Sequence, residues 1–228
     1  MGQLREFSVD VHTGDEVEDL ADAFRSMTRE LDDYIRDLAR ITSEKERIGA
    51  ELHIATQIQA DMLPRIFPPF PERSEFDIYA SMTPAKEVGG DFYDFFLVDA
   101  DHLAVVIADV SGKGVPAALF MVIAKTLIKN HTQTGAQPAQ VFETVNNQLC
   151  ANNEAGMFVT AFLGVLEIST GRFTYVNAGH NPPFWAKAGQ PYEKLPLRHG
   201  FVLAGMENIR YRQQEVVFAP GDSLFLYT

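Results

Sequence analysis

The sequence predicts an α+β fold preceded by a long coiled-coil helix, and three observations support this prediction. Residues 16–63 contain no proline, and their apolar residues recur at alternating steps of four and three. The next segment, LPRIFPPFP at residues 63–71, carries four prolines in nine residues, a density that ends a helix. Beyond it, short apolar runs typical of strands surround two adjacent helical stretches.

The heptad pattern of the first segment indicates a coiled-coil seam that only Lys45 and Gln59 interrupt. A lone helix would leave this stripe in water, so we expect a parallel homodimer, in which the two polar positions set the register or permit movement. One long helix folded onto its own globular domain is the alternative. The predicted seam residues are Leu20, Phe24, Met27, Leu31, Tyr34, Leu38, Ile41, Ile48, Leu52, Ala55 and Met62.

The remainder of the chain predicts mainly antiparallel strands around a pair of helices. A hairpin turn is indicated at Ser169-Thr170-Gly171. The predicted helices cover residues 116–130 and 138–152. The predicted strands cover residues 76–82, 91–98, 103–108, 159–168, 173–177, 183–186 and 223–228.

Composition excludes several classes of function. The net charge of −12 and the isoelectric point near 4.9 argue against a nucleic-acid partner, which needs a basic surface. A single cysteine, Cys150, rules out a disulfide framework and fits a reducing compartment. The sequence contains no apolar run of 18 residues and no signal peptide at its start, so we expect no membrane span within it.

The stretch VVIADVSGKGVPAALFM, residues 105–121, raises the question of why an apolar strand ends in Asp109. A phosphate-binding loop is excluded, because Gly112-Lys113-Gly114 is followed by Val115 and not by Ser or Thr. One interpretation is an Asx turn or a helix N-cap, in which the carboxylate accepts backbone N–H groups. The other is a metal ligand.

A second acidic strand end favours the metal. In EVGGDFYDFF, residues 87–96, two glycines precede Asp91. Hard divalent cations such as Mg²⁺ and Mn²⁺ prefer carboxylate, carbonyl and water oxygens. Two such ions held by neighbouring strand ends can clamp a phosphoryl group and activate a water molecule.

Five motifs, VGGDFYDFF, IADVSGKGVPAALFM, FVTAFLGVLE, YVNAGHNPPFW and PGDSLFLYT, follow one another in this order. Together they resemble the PPM-type serine/threonine phosphatases, and most closely the SpoIIE-like bacterial branch of sporulation and stress-response enzymes. The resemblance implies an αββα-layered sandwich with two Mn²⁺ or Mg²⁺ ions. It also implies hydrolysis of phosphoserine or phosphothreonine by a metal-bound water, and as substrate a phosphorylated regulatory protein of the STAS type.

The resemblance assigns roles to residues by position. It makes Asp91 a metal ligand, Asp109 the ligand shared by both ions, and the Val110 backbone carbonyl a further ligand. The two aspartates are therefore the expected catalytic residues, acting through the metal-bound water.

Four more residues are candidates to line the site. Gly90 belongs to the same motif as Asp91. Asp94 either faces the site or points outward, and Lys113 either attracts the substrate phosphate or is a solvated loop lysine. His180 either contacts the site or positions the turn that carries it.

The segment GDEVEDLADAFRSMTREL, residues 14–31, resembles the second helix of a HAMP linker, the relay that follows a membrane helix in bacterial receptors. The resemblance implies that the chain is the cytoplasmic part of a longer, membrane-bound receptor. We therefore expect a partial HAMP connector at 1–15, a signalling helix at 16–63, a proline-rich linker at 64–75 and the phosphatase domain at 76–228.

Two alternatives to an active phosphatase remain open. The family continues beyond the last motif with Asp-Gly and a later acid that help to hold the metals, so we expect a domain truncated at its C-terminus and impaired in activity. A catalytically inactive dimeric scaffold that binds a regulator is then the first alternative. A cyclic-dinucleotide cyclase is the second, although its signature would not place Phe92-Tyr93 after Asp91.

The seam yields a testable prediction. Lys45→Leu replaces a charged residue at a seam position, so we expect it to stabilise the dimer and to shift its activity. Sedimentation velocity measures the monomer–dimer equilibrium. A wild-type chain that stays monomeric at micromolar concentrations would contradict the dimer, and an unchanged rate in a more stable Lys45→Leu dimer would contradict the coupling to activity.

Overall fold

The structure, a computed structural model, describes residues 13–83, 88–151 and 153–228. The chain separates into two compact units, one ending at Ile54 and the other running from Ala55 to Thr228. Most of the predicted connector at 1–15, and Asn152 at the end of a predicted helix, lie outside the described residues.

The predicted long helix is confirmed as α1 (Glu16–Asp61). Asp15 precedes the helix, and its carboxylate accepts the Val17 backbone N–H at 3.1 Å and so caps the first turn. The seam side chains of α1 from Leu20 to Ile48 are exposed, as for Leu20 at 69% and Tyr34 at 62%, whereas Leu52 is half-buried. The parallel dimer stays a prediction. Among the described residues, no helix has an apolar stretch long enough to cross a bilayer.

The second unit has the predicted α+β composition, with antiparallel sheets. One sheet has the strand order β1-β2-β3-β4-β7 and the other β6-β5-β8. Two helices, α2 (Val115–Gln133) and α3 (Pro138–Cys150), follow β2. The strands are β1 (Phe92–Leu97), β2 (His102–Val110), β3 (Val159–Glu167), β4 (Arg172–Ala178), β5 (Phe184–Ala186), β6 (Glu193–Lys194), β7 (Gln214–Val217) and β8 (Ser223–Phe225).

The two faces of the larger sheet bury different clusters. Alternate residues of β2, Ala104, Val106 and Ala108, pack in a cluster with the apolar faces of α2 and α3. The intervening residues Val105 and Ile107 pack in a second cluster, which includes Trp185 and Leu224 of the smaller sheet. This order of helix pair, sheet and sheet accounts for three of the four layers expected of the sandwich, and it follows from the two-residue period of a strand.

The predicted linker at 64–75 is part of the second unit and packs against its strand β1. The ring centroid of Phe67 lies 5.8 Å from that of Phe95 in β1, and that of Phe70 lies 6.4 Å from the same ring. Aromatic pairs at such distances are stabilising. The following stretch 76–82, predicted as a strand, alternates between half-buried and exposed residues but pairs with no strand among the described residues.

Gly164 in β3 provides a test of cross-strand packing within the larger sheet, on the face that packs against the smaller one. A Cβ atom at this position would lie 2.1 Å from Cζ of Phe173, so the ring occupies the space of the missing side chain. We expect Gly164→Ala to lower the free energy of unfolding by about 1–3 kcal/mol, the usual cost of overpacking. Urea denaturation measures this. Adding Phe173→Leu should recover part of the loss, and two fully additive losses would contradict the contact.

Candidate active site

The pairing of β1 with β2 brings the two predicted acidic residues together. Phe92, the first residue of β1, lies opposite Ala108. Asp91 and Asp109 are the next residues along the two chain segments, and their side chains share a hydrogen bond. Directly opposite residues of an antiparallel pair point to the same face of the sheet. Asp109 in turn lies opposite Thr160 in β3. Asp91, Asp109 and Thr160 therefore form a row across three strands.

This row lies on the face of the sheet that does not contact the helices. Asp109 is two residues from Ile107, which packs in the cluster shared with the smaller sheet. An open pocket of about 460 Å³ lies at this end of the strands. Its lining includes Asp91, Asp109, Val110, Lys113, Phe158 and Thr160.

The two carboxyl groups of the pocket perturb each other. Burial, a hydrogen bond with the Asp91 carboxyl and the charge of that carboxyl together raise the pKa of Asp109 to about 7, and burial contributes most. Asp109 is nevertheless partly exposed to solvent in the pocket, so a dissolved cation can reach it. A pair of carboxylates in this state needs a proton or a cation between them.

Glycine at position 90 permits the close approach of a third oxygen. A Cβ atom on Gly90 would lie 2.8 Å from the carbonyl oxygen of Val110, so any larger residue would displace that carbonyl. The two carboxylates and this carbonyl are hard oxygen donors, which fit Mg²⁺ or Mn²⁺. Within 13–83, 88–151 and 153–228, no group of three or more Asp, Glu, His or Cys residues has the arrangement of a metal site. The donors present thus fit part of a divalent-cation site.

Lys113 lies on the rim of the same pocket and is exposed. The glycines on either side of it, Gly112 and Gly114, have φ angles of +90° and +78°, which favour glycine. This loop joins β2 to α2 directly. The turn between β2 and α2 therefore explains why a glycine lies on each side of Lys113.

Asp94 lies on the opposite face of the sheet from Asp91. It is 3% exposed, and its Oδ2 accepts a hydrogen bond from Nζ of Lys125 in α2 at 2.6 Å. Nζ of Lys129 lies 4.0 Å from the same oxygen. Because strand residues alternate between faces, an odd spacing from Asp91 directs this carboxylate to the helices. Asp94 therefore forms a buried ion pair with Lys125.

His180 is 4% exposed and lies in the turn that follows β4. The Asn177 side chain closes this turn, accepting the His180 backbone N–H at 3.0 Å and donating to its carbonyl at 3.0 Å. The imidazole Nδ1 lies 3.0 Å from Oγ1 of Thr160, and Nε2 lies 3.1 Å from the carbonyl oxygen of Tyr227. The ring contacts Thr160 in the row of polar residues, and it does not line the pocket.

Three residues of the site were missed by sequence reasoning. Thr160 lies in the motif FVTAFLGVLE, but sequence reasoning gave this residue no role. Thr228 donates from Oγ1 to Oδ2 of Asp91 at 3.1 Å. Gln59, interpreted as an interruption of the seam, is 5% exposed, and its side-chain amide makes two hydrogen bonds to the backbone of Gly89, at 2.6 and 3.0 Å. The sequence did contain a signal for this contact, namely a polar residue at a heptad position that is otherwise apolar.

Comparison with protein-family models gives a match over residues 99–228, more than half of the chain, to the family of Stage II sporulation protein E (SpoIIE). The chain belongs to the SpoIIE family. The matched region includes Asp109 and the turn of His180. The resemblance inferred from the five motifs is thereby confirmed.

Individual members of the SpoIIE family and their structures agree with this assignment. The phosphoserine phosphatase RsbU of Bacillus subtilis is 32% identical over 185 residues, which is 81% of this chain and 54% of RsbU. The SiaA-PP2C domain of Pseudomonas aeruginosa superposes with a TM-score of 0.64 at 24% identity, covering 79% of this chain and 71% of that one. The chain thus spans about half the length of its curated relative RsbU, and the PP2C fold is shared.

The structure of the RsbU and RsbW domains of Rv1364c from Mycobacterium tuberculosis is a further match to this SpoIIE-family chain. It superposes with a TM-score of 0.56 at 25% identity, covering 62% of this chain and 39% of that one. Here too the similarity is confined to part of a longer protein.

The buried ion pair yields a prediction that separates Asp94 from the pocket. Lys125→Met leaves a buried carboxylate without its partner, so we expect the free energy of unfolding to fall by about 3 kcal/mol. Adding Asp94→Leu should restore most of it, as chemical denaturation would measure. Asp94→Asn should leave Mn²⁺ affinity unchanged in calorimetric titration. A weaker affinity would mean that Asp94 contributes to the metal site.

Proposed function

We propose that this chain is a metal-dependent protein phosphatase that removes phosphate from phosphoserine or phosphothreonine. The observation that carries the proposal is the pair of neighbouring carboxyl groups of Asp91 and Asp109 in the lining of an open pocket. Two adjacent carboxylates with a raised pKa at one of them are characteristic of functional sites. Membership of the SpoIIE family and similarity to a phosphoserine phosphatase support the same activity.

The chain's own residues have distinct parts in this proposal. Asp91, Asp109 and the Val110 carbonyl would hold two Mn²⁺ or Mg²⁺ ions, which supply a water nucleophile at neutral pH and neutralise the charge of the phosphoryl group. Lys113 on the rim adds a positive charge along the approach of a phosphate dianion. The pocket is open, so a phosphorylated residue on the surface of a folded protein can enter it.

The identity of the substrate and the control of the enzyme are finer parts of the proposal. A phosphorylated regulatory protein of the STAS type is the substrate that the motif resemblance favours. The exposed apolar stripe of α1 supports control through a homodimeric coiled coil, fed by a HAMP-like relay in the cytoplasmic part of a receptor. Gln59 supports a route for that control, because it joins the last turns of α1 to the backbone next to Gly90.

A scaffold without activity is the second candidate. It is favoured by one observation, the absence of a three-residue acidic or histidine group in the described parts of the chain. The cyclase alternative has no comparable support, since the matched family is SpoIIE.

The experiment that tests the proposal is hydrolysis of a phosphoserine peptide and of an aryl phosphate in the presence of Mn²⁺. We expect turnover that EDTA abolishes and that Asp109→Asn lowers by more than about 100-fold, because even the outer partners of metal ligands change activity by about 10- to 100-fold. Asp109→Asn also removes a like charge opposite Asp91, so its thermal stability should equal or exceed that of the wild type.

The matched control is Asp77→Asn, which changes an exposed aspartate outside the pocket lining and should retain wild-type turnover. Full activity in folded Asp109→Asn would contradict the proposed site. Binding of a phosphorylated regulator without any turnover by the wild type would favour the scaffold.

A further inference from the structure

We propose that His180 is a positioning residue of the metal site, which ties together the chain segments on the two sides of the Asp91–Asp109 pair. The inference rests on the proposed function. It extends that function to a residue that lies outside the pocket lining.

The tautomer of His180 follows from its two partners. Nε2 faces the carbonyl oxygen of Tyr227 at 3.1 Å, and a carbonyl only accepts, so Nε2 carries the proton. Burial lowers the pKa of His180, which favours the neutral imidazole. Nδ1 is then an acceptor, and the hydroxyl of Thr160 donates to it across 3.0 Å.

The first arm of His180, the hydrogen bond of its Nδ1 with Thr160, leads to the Asp109 side of the pair. Thr160 lies directly opposite Asp109 in the β2–β3 ladder, and its Oγ1 is 3.4 Å from the Asp109 carbonyl oxygen. The single hydroxyl proton of Thr160 goes to the imidazole, so the approach to the Asp109 carbonyl is a packing contact and not a second hydrogen bond. Fixing the Thr160 side chain on the imidazole therefore holds it against the backbone of Asp109.

The second arm, the hydrogen bond of Nε2 with the Tyr227 carbonyl, leads to the Asp91 side. The Tyr227 carbonyl that accepts from His180 immediately precedes Thr228, whose hydroxyl donates to Asp91 at 3.1 Å. The imidazole therefore holds the backbone from which this donor projects. One ring thus connects, through one intermediate on each side, to the backbone of Asp109 and to the carboxylate of Asp91.

The turn itself holds the ring in place. Two hydrogen bonds from Asn177 to the His180 backbone and the φ angle of +71° at Gly179 define its geometry. An imidazole that only filled space would not need a hydrogen bond at each of its two ring nitrogens. It would also not need the two hydrogen bonds from Asn177 that fix its turn. Outer groups of this kind orient metal ligands and tune their affinity.

The test measures Mn²⁺ affinity of the full chain by calorimetric titration. His180→Leu removes both arms and keeps an apolar side chain of similar size, so we expect a loss of affinity of about 10- to 100-fold. His180→Gln, whose Nε2 can still donate to the Tyr227 carbonyl, should recover part of the loss. Excess Mn²⁺ should restore much of the kcat of His180→Leu.

The matched control is Asn146→Leu. Asn146 is 0% exposed and also joins two backbone groups, accepting from the Ala204 N–H at 3.0 Å and donating to the Met206 carbonyl at 2.8 Å, but it does not line the pocket. We expect it to lose thermal stability and to keep wild-type Mn²⁺ affinity. If Asn146→Leu weakens Mn²⁺ binding as much as His180→Leu, the effect is general loosening and the inference fails.

A second variant keeps the inference testable if His180→Leu does not fold. Thr160→Val removes only the hydroxyl of the first arm, and it should weaken Mn²⁺ binding in the same direction. Wild-type affinity in both Thr160→Val and His180→Gln would overturn the inference. A small decrease in each, with the fold intact by circular dichroism, would support it.

The outcomes also separate this inference from the proposed function. A wild type that binds Mn²⁺ but does not hydrolyse phosphoserine would refute the function, while the affinities of the His180 variants would still decide the inference. A wild type with phosphatase activity whose His180→Leu variant keeps full Mn²⁺ affinity would refute the inference alone. A wild type that binds no Mn²⁺ would refute both.

Discussion

The juxtaposition of two carboxyl groups across β1 and β2 is the constraint on which the rest of the site depends. Like charges directly opposite each other destabilise a sheet, so the pair of Asp91 and Asp109 works against the fold. The ladder cannot shift to avoid it. A slip of one residue would exchange the two faces of β2, which bury Ala104, Val106 and Ala108 toward the helices and Val105 and Ile107 toward the smaller sheet. Packing on both faces therefore fixes the acids in place.

The surroundings of the pair all serve to keep its oxygens close together. Gly90 lets the Val110 carbonyl approach, since any side chain there would lie 2.8 Å from that oxygen. Thr228 donates to Asp91, and Thr160 stands opposite Asp109. The other nearby acid, Asp94, is neutralised by Lys125 on the helix side of the sheet. Of these three acids, the two that line the pocket have no basic partner among the described residues, as expected of a functional site.

The sequence predicted the strand ends and their acids, because an apolar run that stops at an aspartate beside glycines is a local signal. It also predicted both helices and the long α1, whose periodicity extends over many residues. The contacts of Thr160 and Gln59 could not be predicted, because they depend on which distant segments pair. The two-residue strand β6 and the strand β7 were missed for a related reason: each is too short for its alternation to be recognised. The face to which Asp94 points could be predicted only from the register of β1, because successive residues of a strand point to opposite faces of the sheet.

The central claim is that the strand-end pair binds divalent cations through its own oxygens. The most direct measurement is anomalous diffraction from a crystal of the chain grown with Mn²⁺. The account predicts anomalous density between the carboxylates of Asp91 and Asp109 and within coordination distance of the Val110 carbonyl oxygen. Density elsewhere in the pocket with both carboxylates unengaged, or none at this position in a crystal saturated with Mn²⁺, would contradict it.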